Sequence, residues 1–77
     1  MTKHCKIYMQ YFDFGETDII LCELCNAKAV DIHHVNGRGK DKNVIENLMA
    51  LCREHHINAH LEKLSKEYLQ SIHNKIL

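Results

Sequence analysis

The most informative stretch of this chain is residues 31–60, DIHHVNGRGKDKNVIENLMALCREHHINAH. Five of the chain's seven histidines lie in it. It begins with the pair His33-His34 and ends with His56 and His60, which are four residues apart. A packed core does not need imidazoles at this density, whereas metal sites use them more than any other side chain. The stretch therefore predicts a metal site.

Two short spacings of cysteine and histidine predict a structural zinc site. Two residues separate Cys22 from Cys25, and two separate Cys52 from His55. Structural zinc takes four sulfur or nitrogen ligands in a closed tetrahedron, commonly as pairs held on tight turns. We predict that these four residues bind Zn²⁺ and that Cys5 is a free thiol. The alternative, ordinary buried cysteines, fits two such pairs in so short a chain less well.

The remaining histidines predict a second, open metal site. His56 and His60 are spaced i, i+4 on a helix, so both imidazoles project from one face. His33 and His34 are neighbours in a strand and point to opposite sides, so one can join the metal while the other stays a free base. Three protein ligands leave coordination positions open, as in catalytic sites. A metal that stabilises phosphoryl oxygens, beside a neutral histidine that removes a proton from water, suits phosphodiester hydrolysis.

A single zinc finger is the competing interpretation of the same residues. Its ligands would be Cys22, Cys25, His56 and His60. The segment between the two pairs has about thirty residues, against ~12–15 in such fingers. It would also leave four candidate ligands without a role: His33, His34, Cys52 and His55.

The apolar pattern predicts a small α+β domain made of a hairpin followed by helix. Residues 27–35 predict one strand and Leu48–Leu51 a second, joined by a long polar loop with glycines. A 3.6-residue period over Arg53–Leu77 predicts either one long C-terminal helix or two helices with a kink near Ser65. Residues 6–14 fit a strand or a short helix equally well.

From Cys22 to His60 the sequence resembles an HNH endonuclease with a treble-clef zinc site. The family pattern occurs in order as CELC, DIHHV, NGRG, ENLMAL and CREHHINAH. His55 departs from it, because many relatives have a fourth cysteine there. The resemblance covers about half of the chain and implies a ββα-metal fold, in which hairpin and helix clamp one divalent ion. It implies one HNH nuclease domain over residues 1–77, with its motif core at 22–60.

The resemblance also implies a role for each matching residue. His33 matches the metal-ligand position of the double histidine, and His34 matches the general base that activates water. His56 and His60 match the ligands on the helix. Asn47 matches the middle asparagine, which positions the loop between the strands or lies near the metal. A plain turn-capping role for Asn47 is the alternative.

Acidic and basic residues around the motif are candidates for supporting roles. Asp31 lies two residues before His33, on the same strand face, and is predicted to orient an imidazole. The predicted phosphate contacts are basic residues: Arg38, Lys40, Lys42 and Arg53. Acidic residues lie among them, so a solvated loop is the alternative. His4 and His73 are predicted to face solvent.

Composition bounds the setting in which this chemistry would operate. Ten Lys plus Arg balance ten Asp plus Glu, so charge alone gives no support for DNA as a partner. No run approaches the ~18 apolar residues of a membrane span, and MTKHCKIYMQ lacks the apolar core of a signal peptide. We therefore expect a soluble cytoplasmic protein, away from membranes, whose thiols stay reduced.

Together these patterns predict a metal-dependent endonuclease that nicks or cuts DNA. Its cofactors would be structural Zn²⁺ and a catalytic divalent ion, which is Mg²⁺, Mn²⁺, Ni²⁺ or Zn²⁺. The alternative from another class is a noncatalytic zinc module that binds nucleic acid or protein. The sequence leaves open a homodimer through the C-terminal helix or membership of a larger nuclease or phage assembly.

Overall fold

A two-stranded antiparallel hairpin lies at the centre of the chain in the computed structural model, which describes residues 2–77. Strand β1 pairs with β2 so that Asp31 faces Leu51 and His34 faces Leu48. The elements in chain order are α1 (Lys3–Tyr11), β1 (Asp31–His34), a 3₁₀ turn (Ile45–Asn47), β2 (Leu48–Leu51), α2 (Arg53–His60) and α3 (Lys66–Ile76). The predicted small α+β class and the strand at Leu48–Leu51 are confirmed.

Strand β2 is buried on both faces, which explains its uninterrupted apolar sequence LMAL. Met49 and Leu51 point to one side, where they pack with Cys22, Cys52 and Leu69. Alternate side chains of a strand point to opposite faces. Leu48 and Ala50 accordingly pack on the other side, under Tyr8 of α1. The hairpin is therefore the middle layer, with α1 on one face and the C-terminal helices on the other.

Residues 6–14 fitted strand or helix, and they lie in α1 and the loop after it. Thr2 caps this helix, since its hydroxyl accepts a hydrogen bond from the Cys5 amide at 3.4 Å. Asp13 adopts a left-handed conformation (φ 59°) just beyond the C-terminus. Tyr8 is the buried side chain of the helix. The helix places this ring on the hairpin, and Phe12 and Phe14 pack against the same cluster from the residues that follow the helix.

The prediction of one long helix over Arg53–Leu77 is wrong. The alternative of two helices with a break near Ser65 is confirmed. Helix α2 stops at His60, and Glu62 is left-handed at φ 59°. Ser65 then starts α3, because its hydroxyl accepts a hydrogen bond from the Tyr68 amide at 3.0 Å. The turn lets Leu69 pack into the hairpin core, where it is 1% exposed. A straight continuation of α2 would have carried this side chain away from that core.

The strand predicted at residues 27–35 is shorter than expected. Only Asp31–His34 pairs with β2 as a strand. Residues 27–30 instead form the returning arm of the turn around Cys22, through a bridge between Leu21 and Lys28. The Cys22 amide donates to the Ala27 carbonyl at 2.6 Å and so closes this turn. We call residues 21–28 the knuckle.

None of the helices within residues 2–77 has the length and apolar character needed to cross a lipid bilayer.

Candidate metal centres

The four predicted zinc ligands come together from two parts of the chain. Cys22 and Cys25 lie in the knuckle, Cys52 is the N-cap of α2, and His55 lies in its first turn. One ligand atom of each lies within 4.8 Å of those of the others. Sγ of Cys25 is 3.8 Å from Sγ of Cys52. Nδ1 of His55 is 3.6 Å from Sγ of Cys22 and 3.3 Å from Sγ of Cys52.

These separations match the edges of a zinc tetrahedron. With Zn–S near ~2.3 Å and Zn–N near ~2.0–2.1 Å, the expected edges are about 3.8 Å between sulfurs and about 3.6 Å between sulfur and nitrogen. A disulfide would bring sulfurs to about 2.05 Å, so the Cys25–Cys52 pair is not one. The cluster is compatible with a zinc site. His56 and His60 belong to a separate group, so the single-finger set does not assemble within the described residues.

The pKa values of Cys22 and Cys25 in this cluster shift in opposite directions. Burial raises the pKa of Cys22, but backbone hydrogen bonds from Cys52, Leu24 and Cys25, with a further one from His55, lower it to about 7. A backbone hydrogen bond also lowers the pKa of Cys25, but desolvation and the sulfurs of Cys22 and Cys52 raise it more. Thiolates this close repel one another, and a bound cation would remove that repulsion.

Three imidazoles form a second cluster across β1 and α2. One ring nitrogen each of His33, His56 and His60 lies within 4.8 Å of the other two. Nε2 of His56 and Nε2 of His60 are 3.1 Å apart, close to the edge of about 3.3 Å expected for two nitrogens on one zinc ion. Because His56 and His60 are spaced i, i+4 on α2, their side chains lie on one face of the helix. Strand β1 of the hairpin places His33 next to them. The donor set fits one divalent ion with open positions.

Asp31 lies against this cluster through its contact with His56. Its Oδ2 is 3.4 Å from Nδ1 of His56. With Nδ1 turned to the carboxylate, Nε2 of the same ring faces His60. Carboxylates hold metal-binding histidines in this way in many proteins. Asp31 was predicted to orient an imidazole, and the ring that it contacts is that of His56 on α2.

His33 and His56 favour the uncharged form that binds metal. Burial lowers the pKa of His33, and the neighbouring His56, His60, His34 and Arg38 lower it further, to about 4. Burial also lowers the pKa of His56, although Asp31 partly offsets this effect. Both rings are therefore available to a cation near neutral pH.

One cavity connects the imidazole cluster with His34. It has a volume of about 340 Å³ and is lined by Ile32, His33, His34, Gly37, Arg38, His56 and His60. A second cavity of about 380 Å³ shares four of these residues and extends to the turn between α2 and α3. His33 and His34 were predicted on opposite faces, but both line this cleft. His34 is the last residue of β1, and the chain turns immediately after it.

One ring nitrogen of His34 has a hydrogen-bond partner, and the other has none among residues 2–77. Its Nε2 is 2.8 Å from Oδ1 of Asn43. Its Nδ1 is buried and has no hydrogen-bond partner among residues 2–77. His4 packs edge-on against the ring with centroids 4.7 Å apart. Helix α1 brings His4 onto the hairpin, so its side chain is half-buried rather than fully solvent-facing, and it belongs to neither candidate ligand group.

Asn47 holds the loop between the strands instead of facing either cavity. Its Oδ1 accepts a hydrogen bond from the Asn36 amide at 2.7 Å. Its Nδ2 donates to the carbonyls of Gly37 at 3.1 Å and Lys42 at 2.9 Å. The side chain is buried, and these contacts use both of its N–H donors. Of the two roles weighed for Asn47 in the family pattern, the contacts correspond to positioning the loop.

Only one of the four predicted phosphate-binding residues reaches the cavity. Arg38 lines it beside the histidines. The other three are not part of its lining: Lys40, Lys42 and Arg53.

Asn43, the hydrogen-bond partner of His34, was not predicted from the sequence. No feature distinguishes it from the other polar residues of the loop 40–43.

A buried polar network anchors the knuckle to both terminal helices. Glu23 accepts hydrogen bonds from the Tyr8 hydroxyl at 2.6 Å and from the Ala50 amide at 3.1 Å. Nδ1 of His73 donates to Glu23 Oε1 at 2.7 Å, and Nε2 donates to the Ile45 carbonyl at 2.7 Å. His73 is 0% exposed, so its predicted solvent-facing position is wrong. No feature of CELC signalled this network, because only the structure shows that the Glu23 carboxylate is buried and therefore needs a partner.

Comparisons with protein-family models, curated proteins and solved structures give no match to this chain. The two clusters and the cavity beside them are therefore the basis for a functional proposal.

Proposed function

We propose that this chain is a metal-dependent endonuclease of the HNH type, which hydrolyses phosphodiester bonds of DNA. The observation behind the proposal is that one cavity is lined by the three-imidazole cluster, by His34 and by Arg38. A metal site with open positions, a base and a cation are the groups that phosphodiester hydrolysis needs. In this proposal β1, β2 and α2 form the ββα-metal unit.

His33, His56 and His60 would hold the divalent ion, with Asp31 orienting the His56 ring. When bound, such an ion stabilises negative charge on the phosphoryl and leaving oxygens. The zinc cluster would serve a different purpose. It ties the knuckle to the first turn of α2 and so fixes the helix that presents His56 and His60 to the hairpin.

His34 would take a proton from water at Nδ1. Its Nε2 is engaged by Asn43, whereas Nδ1 retains a lone pair that no described group uses. A buried polar atom without a partner is uncommon in folded proteins, and a bound water or ligand would supply the missing partner. Proton removal by a positioned imidazole contributes typically ~10²–10⁴-fold to a rate.

Arg38 would attract the phosphate into the cavity. A guanidinium matches the geometry of phosphate oxygens and contributes no sequence reading. The formal charge of the chain is +0 at pH 7, so this local charge would matter more than the overall field. Binding to DNA should accordingly be weak and sensitive to salt.

A plasmid-nicking assay with Mg²⁺, Mn²⁺, Ni²⁺ and Zn²⁺ tests the proposal. We expect wild type to nick with at least one of these ions, and His34→Ala to lose the activity while keeping its fold and its tightly bound zinc. Asn36→Ala is the control, because that side chain is exposed and makes no hydrogen bond among residues 2–77. Equal background from wild type and His34→Ala with every ion would favour the noncatalytic zinc module.

A further inference from the structure

We infer that Asn43 is a positioning residue that sets the tautomer of His34, an inference that rests on the proposed nuclease function. Asn43 is the hydrogen-bond partner of the His34 ring, at 2.8 Å between Nε2 and Oδ1. It lies in a loop that the metal ligands do not occupy. Nothing in the motif pattern assigns it a role.

The contact determines which ring nitrogen carries the proton. An amide oxygen can only accept, so Nε2 of His34 must be the donor and Nδ1 then has the free lone pair. The opposite tautomer would set a lone pair against the oxygen of Asn43 and bury an N–H that has no acceptor. Orphaned buried N–H groups are rare because they lose the full hydration of the donor.

The loop around Asn43 is held firmly enough to act as a fixed support. Asn47 binds the carbonyl of Lys42, the residue before Asn43, at 2.9 Å. The Lys42 amide donates in turn to the Gly39 carbonyl at 3.2 Å. Asn47 therefore acts on His34 through the loop, and Asn43 makes the last contact of this series.

Asn43 itself contributes nothing to the hydrophobic core. It is exposed, whereas His34 is 7% exposed. The other neighbour of the ring, His4, contacts it edge-on and is hydrogen-bonded within α1 to Thr2. Replacing Asn43 should thus alter the hydrogen bonding of His34 without opening a cavity in the core.

The tautomer matters because only an unprotonated Nδ1 can accept the proton of water. When water gives up a proton, Nδ1 gains it, the ring becomes an imidazolium, and hydroxide remains for attack on phosphorus. Nε2 keeps its own proton and its bond to Asn43.

The test combines nitrogen-15 NMR of the imidazoles with steady-state cleavage by Asn43→Ala, Asn43→Asp and Asn36→Ala. The His34 signals are assigned by their loss in His34→Ala. We expect the Nε2–H tautomer in wild type and a mixture of tautomers in Asn43→Ala. The value of kcat should fall about 10- to 100-fold in Asn43→Ala with little change in KM. Asn43→Asp should restore the tautomer and most of kcat, and Asn36→Ala should match wild type.

Failure of this inference differs from failure of the proposed function. If the His34 tautomer is Nδ1–H in wild type, or is unchanged in Asn43→Ala, the positioning role is overturned, and cleavage by wild type would still support the nuclease. If wild type does not cleave although its tautomer is Nε2–H, the nuclease proposal fails and the positioning role falls with it.

Discussion

The pair Glu23–His73 places a charged imidazole in the interior of a small protein. Both ring nitrogens of His73 face oxygen acceptors, so the ring carries both protons. Burial lowers the pKa of His73, but the hydrogen bonds to Glu23 and to the Ile45 carbonyl raise it more, and the net shift is upward. A buried pair of this kind is costly to break, because the remaining charge has no partner.

The raised pKa predicts how stability depends on pH. Since the pKa of His73 is higher in the folded protein than its ordinary value near ~6.5, its contribution is complete below about pH 6.5 and is lost as the pH rises through the raised pKa. We expect the difference in unfolding free energy between wild type and His73→Gln to be larger near pH ~6 than near pH ~9. Urea denaturation with saturating zinc measures it, and both proteins keep the same metal ligands.

Lys75→Ala is the matched control, because Lys75 is an exposed residue of the same helix. The difference in unfolding free energy between wild type and Lys75→Ala should stay within about 0.5 kcal/mol across the same range of pH. A wild-type advantage over His73→Gln that grows towards the alkaline end would contradict the ion pair.

At the scale of elements, the break between α2 and α3 decides where the C-terminal helix packs. The hydroxyl of Ser65 accepts a hydrogen bond from the Tyr68 amide and so satisfies one of the free N–H groups of α3. We expect Ser65→Ala to lower the free energy of unfolding by about 1 kcal/mol. Ser71→Ala, within the same helix, should cost less, because its hydroxyl only bonds back to the Tyr68 carbonyl. Urea titration of both variants compares them, and equal losses would argue against the cap.

Those parts of the fold and the site that depend on local spacing could be predicted from the sequence. The i, i+4 pair on α2 and the x-x spacing of Cys52 and His55 follow from helix geometry, wherever the helix is placed. The apolar run Leu48–Leu51 identified β2, because a strand buried on both faces does not alternate. The division of the candidate ligands into two groups could therefore be made from the sequence, and the structure holds the same two groups.

What could not be predicted depends on contacts between distant residues. The choice between one helix and two with a kink near Ser65 stayed open, because no glycine or proline marks the turn and the apolar period runs through it. The packing of Leu69 favours the break. The partner of Glu23 lies 50 residues away at His73. Asn43 is one polar residue among several in its loop until the hairpin brings His34 to it.

At the scale of the whole molecule, the two candidate metal sites differ in their number of ligands, and this difference predicts two affinities for metal. The four-ligand cluster is closed, and three of its ligands are sulfurs, whereas the three-imidazole cluster is open. Structural zinc supplies folding free energy directly. We expect one tightly held zinc and one exchangeable ion by mass spectrometry. A strong chelator that removes the first should unfold the chain, as followed by circular dichroism.

Variants separate the two sites. Cys52→Ser should unfold the protein, because Cys52 is at once a core residue, the N-cap of α2 and a zinc ligand candidate. His60→Ala should keep the fold and the tight zinc but lose the exchangeable ion, since His60 is exposed. Cooperative unfolding that no chelator changes would contradict the structural zinc site.

The position of Glu23 sets a lower limit on the size of an independent unit. A fragment of residues 22–60 would contain every candidate metal ligand, yet it would bury this carboxylate without Tyr8 or His73. The two helices outside the motif are therefore requirements of the motif rather than additions to it. Anyone who grafts residues 22–60 onto another scaffold would have to supply both partners, or replace Glu23 with a side chain that needs none.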